Sequence, residues 1–343
     1  MPDKKHLLDV TRQELEYAMA ETGNKPYRAA QILQWVFKGA RSYDEMTNIP
    51  ASLRTWMGQQ YHYPGMVIGN KLISDLDGTV KYRFDLADGN KVESVLMRYR
   101  HGNSICVSTQ AGCKMGCAFC ASTGIGFLRT LTPGEVVEQV LAVSAEEGER
   151  VSHVVFMGIG EPLENPETTI QALRIMNDPN GLGIGMRHIS VSTCGLIPGI
   201  RRLMEEKMPV TLSISLHAPN DEIRSRLMPI NKKYPMNALL AVCREYAQTT
   251  GRRVTYEYIL LQGINDAPGQ ALELASLLKN TGSHINLIPY NPVPGSPLTG
   301  SRRETMERFH GILESKKISV TMRRTLGTDI LAACGQLRRQ GMS

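Results

Sequence analysis

From Cys106 onward the sequence alternates strand-like and helix-like stretches, and this alternation constrains the fold more than any other feature. Candidate strands fall at 104–109, 152–157, 187–192, 211–216, 254–261, 284–289 and 318–322. Helical patterns lie between most of them, such as Thr132–Ala145, opened by Thr132, Pro133 and Glu135. Repeated βα units predict an α/β fold around a parallel sheet, either open or closed into a barrel. Alternate residues of a strand face opposite sides, so the strands also say what lies inside. Ser104, Cys106 and Ser108 share one face against Ile105 and Val107. Ser190 and Ser192 oppose Ile189 and Val191, and Ser213, Ser215 and His217 oppose Leu212, Ile214 and Leu216. Helices must cover the apolar side, which turns the Ser/His/Cys side inward. A closed barrel fills its interior with branched apolar side chains. A polar interior instead predicts a partial, open barrel with a ligand in its lumen.

At 343 residues the chain suits one large domain plus appendages, taking roughly 150 residues per domain. Residues 1–62 read as a helical accessory unit. Thr11 with Glu14 makes a capping box, Pro26 opens a segment whose Ile32, Leu33, Val36 and Phe37 form one apolar stripe, and a third helix follows Pro50. Residues 63–103 read as a β-meander, with hairpin signals at Asp77-Gly78, Asp88-Gly89 and His101-Gly102-Asn103. Residues 104–343 form the βα core. No apolar run approaches the ~18 residues that span a bilayer, and residues 1–20 contain no signal-peptide core. Seven cysteines, an odd count with three packed together, argue against a disulfide framework. A soluble cytoplasmic protein is the expectation. Net charge is +6, and residues 301–343 hold nine Lys/Arg against four acids. A polyanion such as RNA is one reading of that tail, with Arg302-Arg303 and Arg323-Arg324 as phosphate contacts; ordinary solvated helix faces are the other.

The strongest local signal is Gly112-Cys113-Lys114-Met115-Gly116-Cys117-Ala118-Phe119-Cys120, on the loop leaving the first βα strand. Such folds keep their chemistry at the carboxyl ends of the strands. Structural zinc wants a fourth ligand, usually from a second Cys or His pair, and His101 is the nearest single candidate. An iron–sulfur cluster held by three cysteines leaves one iron open to a substrate or cofactor. Cys113, Cys117 and Cys120 are the metal-ligand candidates on either reading, and the spacing favours the cluster.

That motif on the first loop of a βα array resembles the radical S-adenosylmethionine superfamily. Further stretches resemble one family within it, the RlmN family of dual-specificity RNA adenine-C2 methyltransferases. They are Asn24–Arg28, Ser42–Thr47, Val92–Leu96, Gly158–Pro162, Ser215–Pro219 and Ala333–Leu337, so the likeness runs over nearly the whole chain. The resemblance implies a partial (β/α)6 barrel, with the helical unit and the meander as extensions. It implies a [4Fe-4S] cluster on the three cysteines, and two S-adenosylmethionine molecules per turnover. The open iron would chelate the cofactor's amino and carboxylate groups, and an electron from the cluster would cleave it to a 5′-deoxyadenosyl radical.

By the same resemblance, Cys334 is methylated first, and the radical then takes hydrogen from its S-methyl group so that the methylene carbon adds to adenine C2. Cys106 attacks the Cys334 sulfur, forming a transient disulfide and releasing the RNA. Glu93 removes the C2 proton. Gly160, Glu161, Ser192, Ser215, Leu216, His217 and Asn291 match cofactor contacts. The implied partners are 23S rRNA, tRNA and an electron donor such as flavodoxin or ferredoxin, with the protein itself a monomer. Taken singly, Cys106 reads as a small core hydrophobe, Cys334 as a space-filler and Glu93 as a solvated strand position. Cys194 and Cys243 match no family role and read as packing residues. Two alternatives remain at this level: the sister enzyme Cfr, which methylates adenine C8, and a zinc-bearing RNA-binding module.

Overall fold

A computed structural model describes residues 4–124 and 126–338; Arg339, counted in the basic tail, lies outside them. The chain opens with α1 (Arg12–Glu21), α2 (Tyr27–Phe37) and α3 (Ala51–Gln60), closed by a short parallel pair, β1 (Lys5–His6) with β2 (Tyr61–His62). The capping box forms: the Thr11 hydroxyl accepts the Glu14 N–H at 3.2 Å, and the Glu14 carboxylate accepts the Thr11 N–H at 2.7 Å. Ile32 and Val36 of α2 are fully buried, with Leu33 and Phe37 packed beside them. Buried charge ties this unit to the core. Glu138 accepts from His6 Nε2 at 2.7 Å and from the Gly65 N–H at 2.7 Å, and it pairs with Arg41 at 2.9 Å. The His6 Nδ1 accepts the Leu8 N–H at 3.1 Å, which leaves the ring proton on Nε2.

Four antiparallel strands follow, β3 (Met66–Ile73), β4 (Val80–Leu86), β5 (Lys91–Tyr99) and β6 (Gly102–Cys106). The first two turns place Gly78 and Gly89 at φ +71° and +82°, values an L side chain resists, so the Asp-Gly signals carry their usual meaning. A small hairpin, β7 (Gln110–Gly112) with β8 (Phe127–Thr130), brackets the cysteine loop. The βα array then runs α4 (Pro133–Glu147), β9 (Val151–Phe156), α5 (Pro166–Asn177), β10 (Ile189–Thr193), α6 (Ile197–Glu205) and β11 (Thr211–Ser215). It continues with α7 (Asp221–Leu227), α8 (Met236–Thr250), β12 (Thr255–Leu260), α9 (Pro268–Leu277), β13 (His284–Pro289), α10 (Arg303–Ser315) and β14 (Ser319–Met322).

One sheet of ten strands results, in the order β14-β13-β12-β11-β10-β9-β6-β5-β4-β3. It is parallel from β6 to β14 and antiparallel through the meander. Its two ends do not pair, which makes it the expected partial barrel. Ile105, Val107, Ile189, Val191, Leu212, Ile214 and Leu216 are all fully buried in the main core. Strand β6 stops at Cys106, short of the expected 109. Val107 still donates to the Val155 carbonyl at 3.0 Å, but the Thr109 N–H turns to the Ile159 carbonyl at 2.9 Å as the chain swings toward β7.

After β14, residues 323–338 form a strap back across the open side of the barrel. The Asp329 carboxylate accepts from the Ser74 hydroxyl at 2.7 Å and the Asp75 N–H at 3.0 Å, and the Gly327 N–H donates to Asp77 at 2.9 Å. Further along, the Ala121 N–H donates to the Gly335 carbonyl at 2.8 Å, and the Ser122 hydroxyl to the Leu337 carbonyl at 2.7 Å. No described helix is long and apolar enough to cross a membrane.

Candidate active site

The cysteine loop leaves β7 at Gly112, whose φ of +84° is one constraint and whose surroundings are a second. A Cβ there would lie 1.8 Å from the Gly126 carbonyl oxygen. The loop is pinned by the Ala118 N–H donating to the Leu227 carbonyl at 2.9 Å, and Phe119 packs edge-on against His217 with ring centroids 4.7 Å apart. Cys113, Cys117 and Cys120 all border one cavity of about 900 Å³, part of it open to solvent. Burial pushes all three thiols up in pKa, Cys113 to about 12, so in the protein alone they hold their protons.

The carboxyl ends of the strands form the cavity wall. Gly160, at φ +106°, brings the chain so close to Gln110 that a Cβ would lie 2.6 Å from its side chain. The next residue, Glu161, is buried and accepts the Cys194 N–H at 2.7 Å and the Leu163 N–H at 2.9 Å. Burial nonetheless raises its pKa. Ser192, Ser215 and His217 line the same cavity, as the strand alternation requires. His217 Nδ1 accepts the Ile259 N–H at 3.0 Å, which places the ring proton on Nε2. Burial, followed by the charge of Arg224, lowers its pKa to about 3, so the ring is neutral.

Cys334, carried by the strap, borders the same cavity. A smaller adjoining cavity has both Cys334 and Cys106 in its wall. The Cys106 thiol is pushed up to about 12 by burial and then by Cys334, with Arg323 opposing. All seven cysteines are free. Asn291 donates to the Cys334 carbonyl at 3.1 Å and borders a third cavity beside it. Arg323 and Cys334 are the two residues common to all three cavities.

Residues 107–275 match the model of the Radical SAM superfamily, and residues 5–62 match the Ribosomal RNA large subunit methyltransferase N-terminal domain. A protein of Pelotomaculum thermopropionicum is 52% identical over 340 residues, covering 98% of this chain and 92% of that relative. One of Symbiobacterium thermophilum is 51% identical, covering 96% and 90%. Both are described as "Probable dual-specificity RNA methyltransferase RlmN". The crystal structure of a radical SAM methyltransferase from Sphaerobacter thermophilus superposes with a TM-score of 0.95 at 44% identity, over 98% of this chain and 100% of that one. The chain belongs to the RlmN family.

As a member of this family it is a radical S-adenosylmethionine RNA methyltransferase, with a [4Fe-4S] cluster and S-adenosylmethionine, two per turnover, as cofactors. The matches lend no support to a C8 enzyme or a non-enzymatic zinc module. The donor set fits the cluster. The three thiols stand around a shared space, and iron–sulfur clusters take thiolate ligands.

Two residues expected in the RlmN site, Leu216 and Glu93, border none of the three cavities. Leu216 has the opposite strand parity to Ser215, so its side chain is fully buried among core residues and only its backbone approaches the site. Glu93 shares the face of β5 that carries Val95, but the strap covers it. Its Oε2 accepts the Arg338 N–H at 2.9 Å, and Lys81 Nζ stands 3.6 Å from Oε1. Arg323 departs from its expected place on an RNA-facing surface: its N–H continues the sheet ladder to the Leu287 carbonyl at 2.8 Å, and its side chain enters the cavities. There it stands 3.7 Å from the buried carboxylate of Glu257, whose Oε2 accepts no hydrogen bond. Sequence reasoning missed Glu257 because one acid in an apolar strand has no local pattern. Cys194, expected as mere packing, also borders the main cavity, while Cys243 is buried in the core.

Proposed function

We propose that this enzyme methylates C2 of an adenosine at the peptidyl-transferase centre of 23S rRNA and of the adenosine 3′ to the tRNA anticodon, through an S-methyl group on Cys334. The reading is carried by one observation: Cys334 and Cys106 share a cavity wall, and Cys334 also borders the space ringed by Cys113, Cys117 and Cys120. The three cysteines would hold the cluster, which when bound supplies the electron that splits S-adenosylmethionine. Gly160, Glu161, Ser192, Ser215, His217 and the Leu216 backbone would seat the cofactor, and Asn291 would position the Cys334 segment. The Cys334 sulfur would take a methyl group from one cofactor molecule. After carbon transfer, Cys106 would attack that sulfur, forming an S–S bond as the sulfur–carbon bond to the RNA breaks.

Glu93 would take the C2 proton. Burial raises its pKa, with Lys81 and the Arg338 N–H opposing. A protonated carboxyl cannot accept another proton, so the rate should rise with pH, with its acid limb above the usual carboxylate range. Lys81→Met removes the opposing charge and should move that limb to higher pH. A pH profile of kcat/KM for both enzymes checks this, and coincident acid limbs would contradict it.

We further propose that residues 1–62 act as an accessory unit, 63–103 as an extension and 104–343 as the catalytic core. The enzyme would be monomeric and cytoplasmic, and reduced by a flavodoxin- or ferredoxin-type donor. The regiochemistry has a direct test. Anaerobically reconstituted protein, given a short RNA with the target adenine, should add one methyl, and mass mapping should place it at C2. A methyl at C8, or none, would overturn this reading.

A further inference from the structure

Arg224, on α7, is fully buried, and a guanidinium cannot shed its charge inside a protein. Its hydrogen bonds all go to neutral oxygens. One Nη donates to the Asn231 side chain at 2.8 Å, the other to the carbonyls of Cys194 at 2.7 Å and Ser215 at 3.2 Å, and Nε has no partner. Among the described residues Arg224 makes no direct ion pair, and the carboxylate of Asp221 is linked to it only through Asn231, whose amide donates to that carboxylate at 2.8 Å. A buried charge without a direct counter-ion is costly, and its presence points to an anion nearby.

The surroundings locate that anion. Leu227, at the end of α7, accepts the N–H of Ala118 from the cysteine loop. Cys194 packs in one apolar cluster with Cys117 and Cys120. Arg224 is not in the cavity wall; it lies fully buried behind it.

We propose that Arg224 is a positioning residue for the cluster: its charge stands beside the Cys117 end of the loop, favours the reduced, more negative cluster and thereby raises its reduction potential. Its fork also pins the ends of β10 and β11, which wall the cofactor cavity. The inference rests on the assignment of the cluster to Cys113, Cys117 and Cys120. A nearby cation stabilises an added electron, so removing the charge must move the potential downward.

The test uses the full-length, anaerobically reconstituted protein without RNA. Wild type, Arg224→Lys, Arg224→Gln and Arg224→Met are compared for iron content, circular dichroism, the spin signal of the reduced cluster and midpoint potential. The lysine variant should stay near wild type. At equal iron content, the glutamine and methionine variants should show at least a tenfold lower reduced-to-oxidised ratio at fixed poise, which for one electron is about 59 mV. Neutral variants that fold but load no iron, while lysine loads it, would also support the role. Equal potentials in lysine and neutral variants, or a folded lysine variant unable to load iron, would overturn it. Wild type that binds no iron would instead defeat the cluster assignment itself.

Discussion

Cys334→Ala is expected to bring methyl transfer to background, because no other described thiol is placed to stand in for it. Cys334 borders all three connected cavities, whereas Cys106 borders only the one they share. The two cysteines should therefore fail differently. On the proposed mechanism, the carbon would have no carrier without Cys334, and RNA would leave unmodified. Without Cys106 the carrier would still form and still join the base, but nothing would attack its sulfur. Cys106→Ala should accumulate RNA covalently bound to Cys334, seen as a shifted band on a denaturing gel and mapped by mass spectrometry of the digested adduct. Normal turnover by either variant would remove the two-thiol mechanism.

Gly112→Ala should empty the iron site as completely as Cys113→Ala, although glycine ligates nothing. The added methyl would lie 1.8 Å from the Gly126 carbonyl oxygen, and backbone cannot yield as a flexible side chain can. The φ of +84° adds its own strain, and the two together should cost at least about 3 kcal/mol locally. The loop can relieve that only by opening, which withdraws Cys113 from the cavity. Iron and sulfide per chain after reconstitution measure the effect, and full loading would show that the turn is dispensable.

How far such features were legible depends on whether their cause was local. The inward face of β10 and β11 could be read because helices cover the other side, and Ser192 and Ser215 do reach the cavity. The hairpin turns and capping boxes are short-range chemistry and stand where the sequence placed them. Arg323 could not be read in this way. An Arg-Arg pair after a short strand looks solvated until the pairing of Met322 with Leu287 fixes its place at the end of β14, beside the lumen. Glu93 shows a related limit, since its enclosure comes from Lys81 on a neighbouring strand and from Arg338 far along the chain. Arg224 is the extreme case. An arginine in a charged helix suggests solvent, and only the packing of that helix on the cysteine loop shows otherwise.

The strap has a further consequence, for the order in which the enzyme comes into being. Asp329 and Gly327 anchor it to the turn between β3 and β4, and Cys334 lies beyond those anchors. A ribosome making this chain releases the helical unit, the meander and most of the barrel before Cys334 has been joined to the chain. The stretch that would carry the methyl group is thus made after the sheet it folds back on, and the site can close only once residues 323–338 have reached those anchors.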